Sequence, residues 1–162
     1  MLALDGDRLR QMPLAPSSAL ECPRLQTLRR LSIADLFDGN PIHSVDDARC
    51  VQSGLYLYFS ALDESHTVSQ AIHTRSGSYL HGIMHRQERD WGNAKYWFRR
   101  VGFHPVFTEI ERETGEPWDA FAFVDRCAAA SKGRGDEPAA RRWQMIEWRL
   151  LIEHCYRKAL GR

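Results

Sequence analysis

An all-α fold, a compact single-domain helical bundle, is what this sequence predicts, and three observations predict it. Apolar residues recur at spacings of three and four through most of the chain. Residues that cap helices, and glycines or prolines that stop them, bound these stretches. No segment alternates apolar and polar residues over strand length with turns at both ends. Together they give about five to seven helices joined by short connections, with the C-terminal helix in the centre.

Residues 1–24 read as an N-terminal arm, and residues 25–162 as the single α-helical domain. Pro13, Pro16 and Pro23 forbid a continuous helix in the arm. Leu2, Leu4, Leu9, Met12 and Leu14 give it apolar contacts with which to lie on the domain, or to exchange with a second subunit in a homodimer. "RLQTLRRLSIADLF" places Leu25, Leu28, Leu31, Ile33 and Leu36 at near-helical spacing, which predicts one or two short helices before the turn "DGNP". Ser44 with Asp47 three residues on is a capping pattern. Behind it Ala48, Val51, Leu55, Tyr58, Phe59 and Leu62 form the stripe of a packed helix. "LDESHTVSQAI" predicts another, capped by Asp63, with Val68, Ala71 and Ile72 facing inward.

"HTRSGS" interrupts the pattern, and "YLHGIMHRQE" resumes it with Tyr79, Leu80, Ile83 and Met84 on one side. Asp90 caps the next helix, whose stripe is Trp91, Ala94, Trp97, Phe98 and Val101; Gly102 and Pro105 end it. "GEPWDAFAFVDRCAAAS" predicts a further helix with Pro117 in its first turn. The last helix runs from about Pro138 to Leu160 with two apolar bands, Trp143–Ile146–Leu150 and Trp148–Leu151–Ile152–Cys155–Ala159, which is why it is placed centrally.

The charge balance narrows the function classes. Over 162 residues, 22 basic and 21 acidic side chains leave a net charge of +1, with no long-range field for nucleic acid or an anionic membrane. No run approaches the roughly 20 apolar residues of a membrane span, and "MLALDGDRLRQ" is too charged for the core of a signal peptide. Cys22, Cys50, Cys127 and Cys155 are scattered, without a C-x-x-C pair, and read as free thiols in a reducing, cytoplasmic setting. Nucleophile elbows, phosphate-binding loops, dinucleotide glycine motifs and H-E-x-x-H are absent. Ser65, Ser69 and Ser78 each lie within a few residues of a histidine, and that proximity alone assigns them no role.

The chemistry-bearing residues gather in "SGSYLHGIMHRQERDWGNAKYWFRRVGFHPVF", Ser76 to Phe107. His81 and His85 are four apart on one helix side, and Glu88 is three further on. Their face lies about 130° from the Tyr79–Met84 face on a helical wheel, at the border of the core. Two imidazoles and a carboxylate so placed could bind zinc, nickel or iron. A third histidine could come from the preceding helix, His66 or His73. In that arrangement His66, His81 and His85 hold the ion, and Glu88 serves as ligand or base beside His85. The structural alternative is histidines hydrogen-bonded within the fold or paired with Glu88. A second constellation interleaves Arg86, Arg89, Lys95, Arg99 and Arg100 with Tyr96 and Trp97, a mixture that suits an anion or a base. Glu88 and Asp90 among them favour instead an arginine–carboxylate network between helices. His81, Asn93, Tyr96, Arg100 and His104 are the candidate ligand contacts. Trp143, Trp148, Tyr56 and Tyr58 read as core or groove aromatics.

Three resemblances bear on this stretch. "LHGIMHRQERDWGNAKYWFRRVGFHP" resembles one tetratricopeptide unit, with Ala94 and Pro105 near that family's alanine and closing proline. The sequence holds no second copy, and such an architecture needs several. "HGIMHR", "NAKYWFRRVG" and "HPVF" resemble the signature of an uncharacterised bacterial family, a domain of unknown function, over roughly residues 55–107; that resemblance implies no activity and marks the hairpin as the place to look. Histidine-rich four-helix metalloenzymes of the DinB class are similar in fold class and in having three histidines, two of them at H-x-x-x-H. The expectation with which the sequence leaves us is a binding module offering a His/Arg-lined cleft to a small anionic ligand or a partner protein. The rival is a metal-dependent hydrolase or transferase, and a purely structural domain is the third reading.

Overall fold

The computed structural model describes residues 9–162, so Leu2 and Leu4 of the arm lie outside the described residues. All regular structure among them is helical. In chain order the helices are α1 (Pro23–Arg30), α2 (Ile33–Leu36), α3 (Val45–Tyr58), α4 (Leu62–Ser69), α5 (Arg75–Gln87), α6 (Trp91–Val101), α7 (Val106–Thr114), α8 (Ala120–Ala130) and α9 (Glu137–Ala159). No described helix is long and apolar enough to cross a membrane.

The nine described helices exceed the predicted five to seven, partly because α7 follows directly on Pro105, where the stop signals end the sequence reading. It contributes only Val106 and Ile110 to the buried set, too short a stripe to register as a period. Several local expectations are also corrected. Asp63 does not cap α4; Ala61 precedes that helix with no side-chain cap, and Asp63 sits in its first turn. Ala71 is exposed. "RSGS" does not break the pattern but opens α5, because the Thr74 hydroxyl accepts the Gly77 amide at 3.1 Å. Pro117 lies ahead of α8, which Asp119 caps.

The central helix is α5, not α9. Every residue from Ser76 to Gln87 is buried, and α3, α4 and α6 pack around it. Two glycines permit that crowding. A Cβ at Gly77 would meet Ile72 at 2.5 Å, and one at Gly82 would meet the Phe98 ring at 3.1 Å. Tyr79, Leu80, Ile83 and Met84 are all fully buried, each worth about 1.5–3 kcal/mol over an exposed position. The second band of α9 is buried on α3, α7 and α8, but Trp143 and Ile146 of its first band are only half-buried, and Glu153 and Arg157 face solvent. At Gly54 the contact between α9 and α3 is closest: the Trp148 indole N–H donates to the Gly54 carbonyl at 2.7 Å.

The arm's described residues lie against this bundle without helix as far as Cys22, and Pro23, read as a helix breaker, is instead the first residue of α1. Met12 and Leu14 are buried, the Leu20 amide donates to the Phe59 carbonyl at 2.7 Å, and the Arg10 amide donates to the Tyr58 hydroxyl at 2.7 Å. Cys50, Cys127 and Cys155 are buried free thiols, and Cys22 is half-buried and free.

Candidate metal centre

Two backbone devices set the positions of the imidazoles. The turn between α5 and α6 is tight because Arg89 adopts a left-handed conformation, φ 66°, which lets the Asp90 amide donate to the His85 carbonyl at 2.9 Å. Asp90 then caps α6 through the Asn93 amide at 3.1 Å and also accepts the Asn93 side-chain amide at 2.9 Å. On the other side α4 packs against α5 and brings the last turn of α4, with His66 and Ser69, beside His81.

The result is a group of three imidazoles. One nitrogen from each of His66, His81 and His85 lies within 4.8 Å of the others. The ring centres of His81 stand 4.7 Å from His66 and 4.8 Å from His85, and those of His66 and His85 stand 5.7 Å apart. His81 and His85 are buried and His66 is half-buried, so the group opens on the α4 side. The helical wheel put the face at the core's border; α4 and α6 cover that border, which is why His81 is only 2% exposed.

Hydrogen bonds fix which nitrogens remain available. His85 Nδ1 meets a Glu88 carboxylate oxygen at 3.1 Å. A carboxylate only accepts, so the proton sits on Nδ1 and the Nε2 lone pair is free. His81 Nδ1 meets the Ser69 hydroxyl at 2.9 Å. The same hydroxyl lies 3.4 Å from the His66 carbonyl; with that carbonyl as its acceptor its oxygen can take the Nδ1–H, the tautomer that leaves Nε2 free. Burial also favours the neutral form of His81 and His85. Burial, then the neighbouring His85 and His66, push His81 down to about 4. Burial pushes His85 down as well, against the pull of Glu88 and Asp90. Three imidazoles, two of them with hydrogen-bonded outer partners, are the composition of a metal-ligand set.

Their separation is compatible with an ion. Ligand nitrogens at about 2.0–2.1 Å from a tetrahedral ion stand roughly 3.4 Å apart. The 4.8 Å limit is reached from that by small side-chain rotations. Glu88 occupies the Nδ1 side of His85, away from the Nε2 atom, so the geometry gives it the part of an orienting partner to His85.

The other sequence candidates fall elsewhere. His73 is exposed in the connection after α4 and does not join the group. His104 is buried in a separate place, where the Val106 amide donates to its Nδ1 at 3.3 Å and its Nε2 meets the Ser76 hydroxyl at 3.1 Å. Asn93 is exposed, with its side chain bound to Asp90. Tyr96 is exposed beside Trp97, and Arg100 lies over the Trp97 ring at 5.3 Å. Arg86 is not available to an anion: it is fully buried and bound through both terminal nitrogens to Glu147 of α9, with Phe123 under its guanidinium at 4.6 Å. Lys95 pairs with Asp125 at 2.6 Å.

Three participants escape a sequence reading. Ser69 is read there as a chance neighbour, though its place one turn after His66 is the signal that could have found it. Glu147 holds Arg86, and a carboxylate between the apolar bands of α9 is its only mark. Trp97 reads as a stripe residue but is half-buried with its ring 4.1 Å from that of His81. A cavity of about 220 Å³, lined by residues including Ser17, Ser60, Asp63 and Glu64, borders Glu88. Comparison of the chain with models of protein families, with curated proteins and with solved structures finds no match.

Proposed function

We propose that this chain is a metal-dependent hydrolase or transferase in which His66, His81 and His85 hold one divalent ion. The observation that carries the reading is the convergence of one nitrogen from each of three imidazoles, with Ser69 and Glu88 on Nδ1 of His81 and His85. Nitrogen ligands suit zinc, nickel or iron. Three protein ligands leave a coordination position for water or substrate, the pattern of catalytic rather than structural zinc. An ion so held supplies a water of lowered pKa or polarises a carbonyl or phosphoryl oxygen. The protein's part is positional: Glu88 and Ser69 orient the rings, and Trp97 shields the His81 face from water.

The test is metal analysis of protein purified without a tag, with thermal unfolding in added zinc, nickel or iron(II). One equivalent of bound ion, and a midpoint that rises with ion concentration and no longer does so in His85→Ala, are expected. No bound ion and no stabilisation by any of the three would remove the reading. Hydrolysis of chromogenic esters, amides and phosphoesters by the loaded protein then separates an enzyme from a simple metal carrier.

A further inference from the structure

We propose that the substrate of this metal centre carries a second, anionic group, and that Arg100 binds that group from its place on Trp97. The inference rests on the metal reading and names the substrate class for the same site. Trp97 connects the two features. Its ring centre is 4.1 Å from that of His81, and the Arg100 guanidinium carbon is 5.3 Å from the Trp97 ring centre. The guanidinium therefore lies within 9.4 Å of the His81 ring, the two distances laid end to end. A small substrate can span that gap.

Arg29, Arg86, Lys95, Arg141 and Arg149 each carry a carboxylate partner. Among the described residues Arg100 makes no ion pair, and its contact is the indole face. Among the described residues Arg99 and Arg126 also lie over rings without an ion pair, but the ring under Arg100 meets His81. Stacking on an aromatic ring leaves the N–H edge of a guanidinium free, and that edge matches a carboxylate or phosphate through two parallel hydrogen bonds. The ring also restricts the side chain, so less freedom is lost when an anion binds. Arg99, the next residue, lies over Phe121 of α8 instead, so the position on Trp97 belongs to Arg100 alone of the pair.

Cobalt(II) substitution tests this without any knowledge of the natural substrate, because ligand exchange at the ion changes its visible spectrum. Dicarboxylates from succinate to adipate and the carboxyalkyl phosphonates serve as two-ended probes, with acetate as the one-ended control. We expect at least one two-ended probe to bind tenfold or more tightly than acetate. Arg100→Ala should bring it back to the acetate level while leaving acetate affinity and cobalt content unchanged, and Arg100→Lys should restore part of the difference. A dicarboxylate or a phosphonate as the best probe distinguishes a carboxylate from a phosphate group. If Arg100→Ala leaves every two-ended probe within twofold of wild type, or weakens acetate equally, Arg100 is not an anion site. Wild-type protein that takes up no cobalt would instead overturn the metal reading and this one with it.

Discussion

Two sets of imidazoles are held against α5, and they look alike until their nitrogens are followed. At one place His81, His85 and His66 meet beside Ser69. At the other His104 stands against His154, 5.0 Å between ring centres, beside Ser76. Each has a serine hydroxyl on a ring nitrogen. Each has a histidine pushed well below its usual pKa by burial and then by neighbouring basic groups, to about 4 for His81 and about 3 for His104. A lowered pKa therefore does not distinguish them. The difference is that both His104 nitrogens are occupied within the fold, by Val106 and Ser76, whereas His81 and His85 each have one nitrogen so engaged and offer one nitrogen each to a group that closes with His66 to within 4.8 Å. Burial gives a neutral ring, and convergence of unoccupied nitrogens gives a ligand set.

The sharpest way to break that comparison is to remove one ring from each set and measure metal affinity. His85→Ala should lower zinc affinity by roughly a thousandfold, about 4 kcal/mol for a lost ligand. His104→Ala should leave it within a few-fold. Equal losses would show that the two sets do not differ in function. Stability of the metal-free protein should run the other way. His104→Ala opens a buried space and orphans the Ser76 hydroxyl, which costs about 2–4 kcal/mol by chemical denaturation. His85→Ala should cost less, about 1–2 kcal/mol, because the partner it abandons, Glu88, is exposed to solvent.

How much of this the sequence could show follows from the range of the signals. Caps at Ser44 and Asp90, the stop at Gly102 and the stripe through Tyr79, Leu80, Ile83 and Met84 are local, and each reads correctly. The identity of the central helix is not local. It depends on Gly77 and Gly82 letting the α4–α5 connection and α6 close over α5, and no wheel drawn for one helix contains its neighbours. The same reason separates the histidines. Spacing of four puts His81 and His85 on one side, but only the packing of α4 decides that His66 joins them and His73 does not. Arg86 and Arg100 are both arginines of the same hairpin in sequence; one is buried on Glu147 and the other lies on Trp97.

Acid should weaken the metal-free fold, with a sign that follows from the depressed histidines. Above about pH 6.5 both folded and unfolded rings are neutral, and the shift contributes nothing. Between pH 6.5 and 4 the unfolded His81 takes a proton that the folded ring, beside His85 and His66, refuses. Stability therefore falls as pH falls, by up to about 3 kcal/mol from His81 once pH is below its folded value. His104, faced by His154, Lys158 and Arg75, adds a fall of the same sign extending to about pH 3. Denaturation of His104→Gln should lose the His104 part and keep the fall that His81 and His85 contribute. Saturating zinc at pH 7 should add stability that is lost over the same acid range, since protons and the ion compete for Nε2.

The smallest expected effect tests the serines, which occupy matching places in the two sets. Ser69→Ala removes the oxygen that takes the His81 Nδ1–H, so His81 loses both its orientation and the preference for the tautomer that frees Nε2. Metal affinity should fall about tenfold, the low end of what outer hydrogen-bond partners contribute. Ser76→Ala removes the partner of His104 Nε2, and because that ring offers no nitrogen to an ion, metal affinity should stay within twofold. Both variants delete one buried hydroxyl and should lose similar stability, about 1 kcal/mol in the metal-free state. The pair thus holds packing and hydrogen-bond cost nearly constant and changes only which imidazole is left unsupported. A tenfold loss for Ser69→Ala matched by an equal loss for Ser76→Ala would mean that metal affinity reports general loosening of α5 and not the orientation of one ring.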